Sequence, residues 1–343
     1  MVKSSIKESV TIAALTKRLN YTAFIIAIKQ FLLERGFNVK FMLNTDIYPT
    51  NKYESTSFFK NEHLFIIFPF KKMLLFVISR KFIRKKSYYW FHEPFTSFSA
   101  YRKSGNSFLW ITQFYLKSVY SYFTCFFCDT VFIPSDLAVE NYKNSIFFCE
   151  KIKFIKFPLV FPDRTDFTKK EKLISYLGTI SKDHAFDSFI EMIINNASFL
   201  IKNNFKVLIA TSNNVDKLYL DKLNSLNLNI EIIHSNLISD RDMNSYYSRT
   251  FLLWNAYHRS TQSAVLVNAF RHNCIPIFHR DNIKYEYENI SLIMNSKKYL
   301  IDEDNFKYIL NNSEKIHKVI NKIFLDNYSY KSLLKSEIFL NEV

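Results

Sequence analysis

The chain has 343 residues and a mass of 40.9 kDa, which favours two domains of about 150 residues each over one compact core. Hydrophobic residues make up 48% and aromatic residues 17%, so the composition excludes an intrinsically disordered chain. The sequence carries a net charge of +15 and contains only 3 glycines, which excludes the P-loop and other Gly-rich nucleotide motifs.

The first half of the sequence alternates segments that fit strands and helices. Val10–Leu15 predicts a buried strand, Tyr21–Arg35 predicts an amphipathic helix, and Gly36 ends that helix before a second strand at Asn38–Leu43. Further apolar runs are separated by enough residues for helices: His63–Phe68, Ser87–Phe91 and Thr130–Pro134. This order predicts an α/β domain whose parallel strands are joined by right-handed crossovers.

The second half repeats this alternation more clearly. Its predicted strands begin near Lys172, Phe205, Asn229, Phe251, Ile275 and Ser291. Ser239 and Asp242 have the spacing of a capping box and predict a helix start. The polar segment Phe161–Lys172 is the best linker, so we expect an α/β fold of two Rossmann-like, doubly wound domains facing across a cleft. The predicted domains are residues 1–164 and 165–343, and the last helix could return to the N-terminal domain.

The positive charge is concentrated in the first half. Residues 1–168 contain 24 Lys and Arg against 12 Asp and Glu, whereas residues 169–343 contain 22 against 19. No acidic residue lies between Glu62 and Glu93, where lysines and arginines alternate with Phe, Leu and Ile. This stretch fits the surface of an anionic bilayer, and it equally fits core elements with solvated lysines.

The cysteines and the apolar segments set further limits. Four cysteines in a chain of this length form no disulfide framework, and Cys125 and Cys128 have no second pair with which to bind zinc. The charged start of the sequence lacks the apolar run of a signal peptide, which predicts a cytoplasmic protein. The longest uncharged stretch, residues 104–116, is too short to span a membrane.

The segment Phe251–Phe278 is the most informative for function. We expect a buried strand that ends at Tyr257, a polar turn, a helix over Ala264–His272 and another buried strand. Polar donors therefore gather where a helix begins at the carboxyl edge of a sheet, a place that suits a diphosphate. An ordinary strand-to-helix turn capped by Ser or Thr would show the same pattern.

This segment resembles the C-terminal signature of the retaining glycosyltransferases of family 4. Asn268–Ile277 matches the tail Glu-Ala-x-Ala-x-Gly-x-Pro-Val-Ile without a gap. Leu177–Glu191 resembles the family's "Gly-Arg-x-x-x-x-Lys-Gly" strand and helix, and Leu237–Tyr247 resembles its helix after the base-binding turn. Val131–Ser135 and Phe91–Pro94 stand where the family has "Val-Ile-x-x-Ser" and an end-of-strand histidine. The resemblance implies the GT-B architecture, with the acceptor on the N-terminal domain and the nucleotide sugar on the C-terminal domain.

The charged residues of the family signature are replaced in this sequence. Its two glutamates fall on Ser260 and Asn268, its diphosphate-binding arginine on Thr179 and its lysine on His184. Asn268 could still bond ribose hydroxyls, and Arg259, Lys182 or a protonated His184 could meet the diphosphate. The donor-binding residues that we predict are Gly178, Thr179, Lys182, His184, Asn236, Leu237, Arg259, Ser260, Thr261, Gln262, Ser263, Ala264 and Asn268.

Two residues are predicted to act at the reacting sugar. His92 matches the family's cleft histidine and is expected to contact the donor sugar. Glu93 beside it is the candidate base if the enzyme inverts the anomeric configuration. The resemblance implies retention without a metal or other cofactor. A solvated strand end is the alternative interpretation of His92, Glu93 and Pro94.

The sequence therefore predicts a hexosyltransferase that moves a sugar from a nucleotide diphosphate to a glycan or lipid-linked acceptor. The resemblance implies bacterial surface polysaccharide synthesis, such as lipopolysaccharide, O-antigen or capsule, at the cytoplasmic face of the inner membrane. A catalytically degenerate subunit that binds a glycan or a partner is the main alternative. A sugar-nucleotide epimerase would need glycines and acids that Gln262–Asn268 lacks, and no nucleic-acid-binding module is recognised.

Overall fold

In a computed structural model, the chain divides into two compact units, residues 1–162 with 327–343 and residues 163–326. The structure describes residues 8–14, 22–43, 63–68, 71–92, 94, 97–103, 105–144, 150–151, 154–164, 169–236, 238–258, 263–280, 285–295 and 299–335. Each unit is an α/β structure built on its own sheet.

The first unit contains a six-stranded parallel sheet. Its strands are β1 (Ser9–Ala14), β2 (Asn38–Leu43), β3 (His63–Phe68), β4 (Lys86–Trp90), β5 (Thr130–Ile133) and β6 (Phe154–Lys156), in the spatial order β2-β1-β3-β4-β5-β6. The helices between them are α1 (Thr22–Glu34), α2 (Lys71–Phe82), α3 (Phe98–Lys103), α4 (Phe108–Phe127) and α5 (Asp136–Lys143). Both faces of the central strands are buried, as their continuous apolar runs require.

The core of the first unit lies on both sides of this sheet. On one side, Ile66 and Val131 pack with Val77 of α2 and Tyr122 of α4. On the other side, the ring of Trp90 lies 4.5 Å from that of Phe24 in α1. Since side chains alternate along a strand, each strand supplies both cores.

A buried arginine joins α2 to the start of β4. Arg80 is fully buried and donates hydrogen bonds to the carbonyl oxygen of Lys86 (2.7 Å) and to the hydroxyl of Ser87 (3.1 Å). Burial lowers the pKa of the Arg80 guanidinium to about 10. Its hydrogen bonds offset part of the cost of burying the charge.

The second unit contains a seven-stranded sheet. Its strands are β7 (Leu173–Leu177), β8 (Lys206–Thr211), β9 (Ile230–His234), β10 (Leu252–Trp254), β11 (Ile275–His279), β12 (Leu292–Asn295) and β13 (Leu300–Ile301), in the spatial order β13-β12-β11-β10-β7-β8-β9. All neighbouring pairs are parallel except β12 and β13. The helices are α6 (Phe186–Asn195), α7 (Ala197–Lys202), α8 (Lys217–Asn224), α9 (Asp240–Arg249), α10 (Ala264–Arg271), α11 (Glu303–Asn311) and α12 (Ser313–Asn327), with a 3₁₀ helix at Tyr285–Ile290.

The C-terminal segment belongs to the first unit. After α12, the short helix α13 (Tyr330–Leu334) packs against α1. Phe161 exchanges backbone hydrogen bonds with Tyr328 (2.8 Å) and Tyr330 (3.1 Å), and the Tyr330 hydroxyl donates to Glu34 at 2.9 Å. These bonds join the region of the last helix to the segment that follows β6, the edge strand of the first sheet.

Five helices of the described chain end with a residue in the left-handed conformation. At each of these ends, the amide of the next residue donates a hydrogen bond to the carbonyl oxygen of the residue five positions earlier. Examples are Phe37 to Leu32 (3.0 Å) and Phe205 to Leu200 (2.9 Å). The left-handed residues are Gly36, Arg84, Gly105, Asn204 and Asn273. Because the chain has so few glycines, three helices end without one, and Arg84 adopts the conformation at a cost of about 1–2 kcal/mol.

The observed elements differ from the predicted ones mainly at their ends. The predicted strand that runs to Tyr257 was wrong, because β10 ends at Trp254 and the next residues form a loop. β6 and β13 were not predicted, since strands of three and two residues carry no periodicity. The observed boundary between the units follows Pro162, whereas the predicted boundary follows residue 164.

The contacts of α13 predict that a change near the C-terminus weakens the first unit. Leu333 is 2% exposed, so Leu333→Ala should lower the free energy of unfolding by about 2–5 kcal/mol through lost packing and a cavity. Hydrogen exchange should rise in α1 and remain unchanged in β8. The exposed Lys335→Ala serves as the control, and an effect of L333A confined to the second unit would contradict the assignment of α13.

A buried histidine predicts how the second unit responds to acid. Burial lowers the pKa of His272 well below its usual range, and Arg164, Arg271 and Lys170 act in the same direction. Below a pH of about 6.5 the unfolded chain gains a proton here that the folded chain does not, so stability falls by up to about 1.4 kcal/mol per pH unit. His272→Gln should flatten this dependence between neutral pH and acid.

Denaturant unfolding at several pH values measures this effect. His234→Gln, at an exposed histidine on β9 of the same unit, is the matched control for the loss of a histidine side chain. Equal slopes for the wild type and H272Q would contradict the prediction.

Candidate functional site

The candidate site lies where the strand order of the second sheet reverses. From β7, the chain proceeds to β8 and β9 on one side and to β10, β11 and β12 on the other. The loops that follow β7 and β10 therefore leave in opposite directions and open a crevice at the carboxyl edge of the sheet. Ligands of open α/β sheets bind in such crevices.

The loop after β7 is held in a backbone conformation that side chains disfavour. Gly178 has φ +127° at its start and Ala185 has φ +52° at its end, just before α6. Among the described residues with positive φ, these two and Tyr299 are the ones that do not end a helix. Strained backbone of this kind concentrates at functional sites.

Hydrogen bonds fix the interior of this loop. The Thr179 carbonyl oxygen accepts from the Tyr176 hydroxyl and from Nδ1 of His184, both at 2.8 Å. The Ile180 amide donates to Oδ1 of Asn213 at 2.9 Å, and the Asn213 amide donates to the Thr211 hydroxyl at 3.1 Å. Since Nδ1 of His184 donates, the neutral ring presents Nε2 as an acceptor, and the protonated ring presents it as a donor.

The loop after β10 packs against the loop after β7. The rings of His184 and Tyr257 stack with centroids 4.5 Å apart, and the Trp254 indole donates to the His184 carbonyl oxygen at 3.0 Å. The His258 amide donates to the Asp183 carbonyl oxygen at 2.9 Å. The two loops thus form one cluster around His184, which we call the carboxyl-edge cluster (residues 178–185, 211–213, 255–258 and 263–265).

The first turn of α10 completes this cluster. Ser263 caps the helix by accepting from the Leu266 amide at 3.2 Å. A Cβ built on Gly178 would lie 3.9 Å from Cγ2 of Val265, so the Gly178 turn lies against the first turn of α10. Burial raises the pKa of Tyr257, and a hydrogen bond with the Ser263 side chain acts in the opposite direction. Free amides at a helix start, together with the helix dipole, favour an anion at this place.

Asn255 is the first residue after β10 and was not predicted. Its amide donates to the Ile277 carbonyl oxygen at 3.1 Å and continues the ladder between β10 and β11. Its side chain is buried, and Oδ1 accepts no hydrogen bond from the residues that the structure describes. A buried acceptor of this kind is costly without a partner, which makes Asn255 a candidate ligand contact.

The structure brings some of the predicted donor residues together. Gly178, Thr179, His184, Ser263 and Ala264 lie in the carboxyl-edge cluster, and Lys182 is exposed in the same loop. Asn236 follows the edge strand β9, directly after Ser235, whose amide donates to the Thr211 carbonyl oxygen at 3.3 Å, and Asn268 lies one turn into α10. Leu237, Arg259, Ser260, Thr261 and Gln262 lie outside the described residues.

The predicted sugar contact lies on the first unit. His92 follows β4 at the carboxyl edge of its sheet, and its ring stacks on Trp90 with centroids 5.0 Å apart. Glu93 lies outside the described residues. The ring of His92 is therefore packed against a fully buried residue of the first unit.

Sequence reasoning missed Asn213, Asn255 and Tyr257. Asn213 closes a polar run, Thr211-Ser-Asn, directly after a predicted strand, and this signal was present in the sequence. Asn255 and Tyr257 were assigned to the strand itself, because the apolar run continues past its end. Their role depends on which strands are neighbours, which the sequence does not state.

Among the residues that the structure describes, no three His, Cys, Asp or Glu side chains cluster closely enough to hold a metal ion. None of the helices placed there combines the length and the apolar character that a membrane span needs.

No protein-family model matches the sequence, and no curated protein matches it significantly. Solved structures do match. A candidate UDP-N-acetylglucosamine 2-epimerase from Listeria monocytogenes is 11% identical, with a TM-score of 0.57 over 98% of this chain and 97% of that one. The lipopolysaccharide outer core galactosyltransferase WaaB is 9% identical, with a TM-score of 0.58 over 97% and 99%. TarM from S. aureus, in a complex with UDP, is 13% identical with a TM-score of 0.58 over 82% of this chain, which spans 55% of TarM.

These similarities establish the fold. Two α/β units, each built on a sheet of mainly parallel strands in these orders, have the GT-B architecture, which confirms the predicted fold class. At identities this low, fold alone leaves the reaction open, because the same architecture carries both transferases and an epimerase.

The Asn213 contact predicts that one side chain holds the loop after β7 in place. Asn213→Ala should leave the Ile180 amide without its acceptor and lower the free energy of unfolding by about 1–3 kcal/mol. Amide exchange should rise in the Gly178–His184 peptide. Asn312→Ala, which removes an exposed bond to the Tyr308 carbonyl oxygen, is the control, and unchanged exchange in N213A would contradict the prediction.

Proposed function

We propose that the protein is a glycosyltransferase that moves a sugar from a nucleotide diphosphate to a saccharide acceptor. One observation carries this proposal: the Gly178 turn lies against the first turn of α10 at the reversal point of the second sheet. The GT-B fold, shared with the galactosyltransferase WaaB and with TarM, supports it.

The donor diphosphate is assigned to the carboxyl-edge cluster. The leaving group of glycosyl transfer carries growing negative charge, which fixed donors must stabilise. The proposed hydrogen-bond donors to the diphosphate are the amides of Ala264 and Val265 and a protonated His184. Lys182 and Arg259 are proposed as further cations. Asn268 is proposed to bond the ribose hydroxyls, and the turn at Asn236 and Leu237 is proposed to take the base.

Asn255 adds a contact that the family signature does not contain. Its buried Oδ1 follows β10 at the reversal point and can accept a hydrogen bond from a hydroxyl or amide of the donor. A ligand whose hydroxyl or amide donates a hydrogen bond to this oxygen removes the energetic cost of leaving it without a partner. We therefore include Asn255 in the proposed donor site.

The acceptor is assigned to the first unit. His92 is proposed to hold the donor sugar, and Glu93 would act as base only if the reaction inverted the anomeric carbon. Following the family resemblance, we propose retention without a metal ion. The protein residues then need only position the two substrates, exclude water and stabilise the leaving group.

The acceptor is proposed to be a lipid-linked saccharide of a bacterial surface polysaccharide. The basic first half of the chain supports this class, because lipid diphosphates and the membrane surface are both anionic. A peripheral position at the cytoplasmic membrane face follows from the same proposal.

A sugar-nucleotide epimerase is the second candidate, since an epimerase from Listeria monocytogenes has the same fold over the whole chain. The two reactions differ in their need for an acceptor. Inversion at C2 of UDP-N-acetylglucosamine with no acceptor present would favour the epimerase, whereas sugar transfer to a lipid extract would favour the transferase. Binding without either reaction would favour the degenerate subunit.

Two matched pairs of variants test the donor site. Gly178→Ala and Gly36→Ala each force alanine into a positive φ, of +127° and +90°, and should each cost about 1–3 kcal/mol of stability. Ser263→Ala and Ser107→Ala each remove a helix N-cap and should each cost about 1 kcal/mol.

Thermal shift and calorimetry with UDP, GDP and dTDP sugars give the readout. The wild type should be stabilised by at least one nucleotide sugar. Gly178→Ala and Ser263→Ala should weaken that binding about tenfold or more, whereas G36A and S107A should bind as the wild type does. Equal losses of affinity within each pair, or no stabilisation of the wild type by any nucleotide sugar of the panel, would contradict the assignment of the donor site.

A further inference from the structure

Helices α2 and α4 of the first unit pack side by side and expose apolar side chains on their outer surface. Their inner side chains, such as Val77 and Tyr122, belong to the core beneath. Outward, Leu116 is 70% exposed, Leu109 72% and Phe82 84%. We call seven of the exposed apolar residues on and directly after these helices the apolar outer face: Leu75, Phe82, Ile83, Leu109, Leu116, Phe123 and Phe126. Phe108 and Trp110, in the first turn of α4, are exposed as well.

The composition of α4 differs from that of an ordinary surface helix. Leu109, Leu116 and Phe123 recur at seven-residue spacing and so lie along one line of the helix. Lys117 is the single charged residue among the twenty of α4. A helix that covers a sheet normally turns a polar face to water.

Helix α12 of the second unit provides the comparison within the same chain. Its exposed residues include Glu314, Lys315, Lys318 and Lys322, with Val319 and Leu325 among them. Because a helix of the same protein has a charged outer surface, the apolar outer face does not follow from overall composition. Exposed apolar side chains that are concentrated on two neighbouring helices are typical of interaction surfaces.

Basic residues flank the apolar outer face. Arg84 and Lys86 are exposed beyond the end of α2, and Arg102 and Lys103 are exposed on α3, which packs against α4. The sequence from residue 71 to 127 contains ten Lys and Arg, and Glu93 is its one acidic residue. Lys81 is paired with Asp129 at 2.8 Å.

We propose that the apolar outer face docks flat on an anionic lipid bilayer. Its Leu and Phe side chains enter the boundary between headgroups and acyl chains, while the flanking cations contact lipid phosphates, each contributing about 1 kcal/mol. A second copy of the chain fits this face less well, because a symmetric contact would place the basic rim against itself. The inner side chains of α4 remain packed in the core of the first unit. Only the outer side chains of the helix therefore enter the headgroup region of the bilayer.

This inference deepens the lipid-linked acceptor of the proposed function but rests on different residues. It assigns a docking surface to α2, α3 and α4, whereas the donor site lies in the second unit. The test below contains no nucleotide sugar, so its failure leaves the proposed transferase reaction standing, and failure of donor binding leaves this surface standing.

Co-sedimentation of the full chain with lipid vesicles tests the docking surface. One set of vesicles contains equal parts of phosphatidylglycerol and phosphatidylethanolamine, and the other contains phosphatidylcholine alone. The double variant Leu116→Glu with Phe123→Glu places two charges on the apolar outer face. The matched control, Leu218→Glu with Leu325→Glu, charges two exposed apolar residues of the second unit.

The wild type and the control should bind the anionic vesicles. Their affinity for the neutral vesicles should be at least tenfold lower. The variant L116E/F123E should lose at least tenfold in affinity for the anionic vesicles while keeping the thermal unfolding of the wild type. Absent binding of the wild type, or equal binding by L116E/F123E, would overturn the proposal. Dimers that L116E/F123E dissociates, without vesicle binding, would assign the face to contacts between copies and overturn it as well.

Discussion

The reversal of strand order beside β7 is the constraint on which the candidate site depends. Each crossover connection between parallel strands is right-handed, so the chain must change direction to cover both faces of a sheet. At that point, two neighbouring strands send their loops to opposite faces, and backbone groups at their ends remain uncovered. In the second unit this place lies between β7 and β10, and the loops with Gly178 and Asn255 both start there.

The fold was largely predictable because its signals are local. Gly36 ends a helix with a left-handed turn, and the apolar runs of β1 and β2 on either side are long enough to identify as strands. The segment from Phe251 to Phe278 likewise contains a strand, a capped helix and a strand in order. Such features depend on neighbouring residues along the chain, which the sequence contains.

The candidate site was predicted only in part because its geometry is not local. Ser263 and Gly178 could be identified from their segments, but their proximity depends on the pairing of β7 with β10 across more than seventy residues. Tyr257 looked like part of a strand, although its ring stacks on His184 in the neighbouring loop. Likewise, the exposure of α4 depends on what packs above it, and an apolar sequence predicts burial instead.

The scarcity of glycine links the fold to the site. The chain has 3 glycines, and two of them end helices. Three other helices end with Asn204, Asn273 and Arg84, which adopt a positive φ at an energetic cost. The third glycine, Gly178, is instead placed at the start of the loop after β7, where a Cβ would find space but the φ of +127° disfavours any side chain. Because steric room is available, the conformation itself, and hence the direction in which the backbone amides point, is what glycine provides here. Asparagine and arginine adopt φ values of +55° to +57° at three helix ends, whereas the φ of +127° in the loop after β7 lies outside that left-handed region and occurs on a glycine.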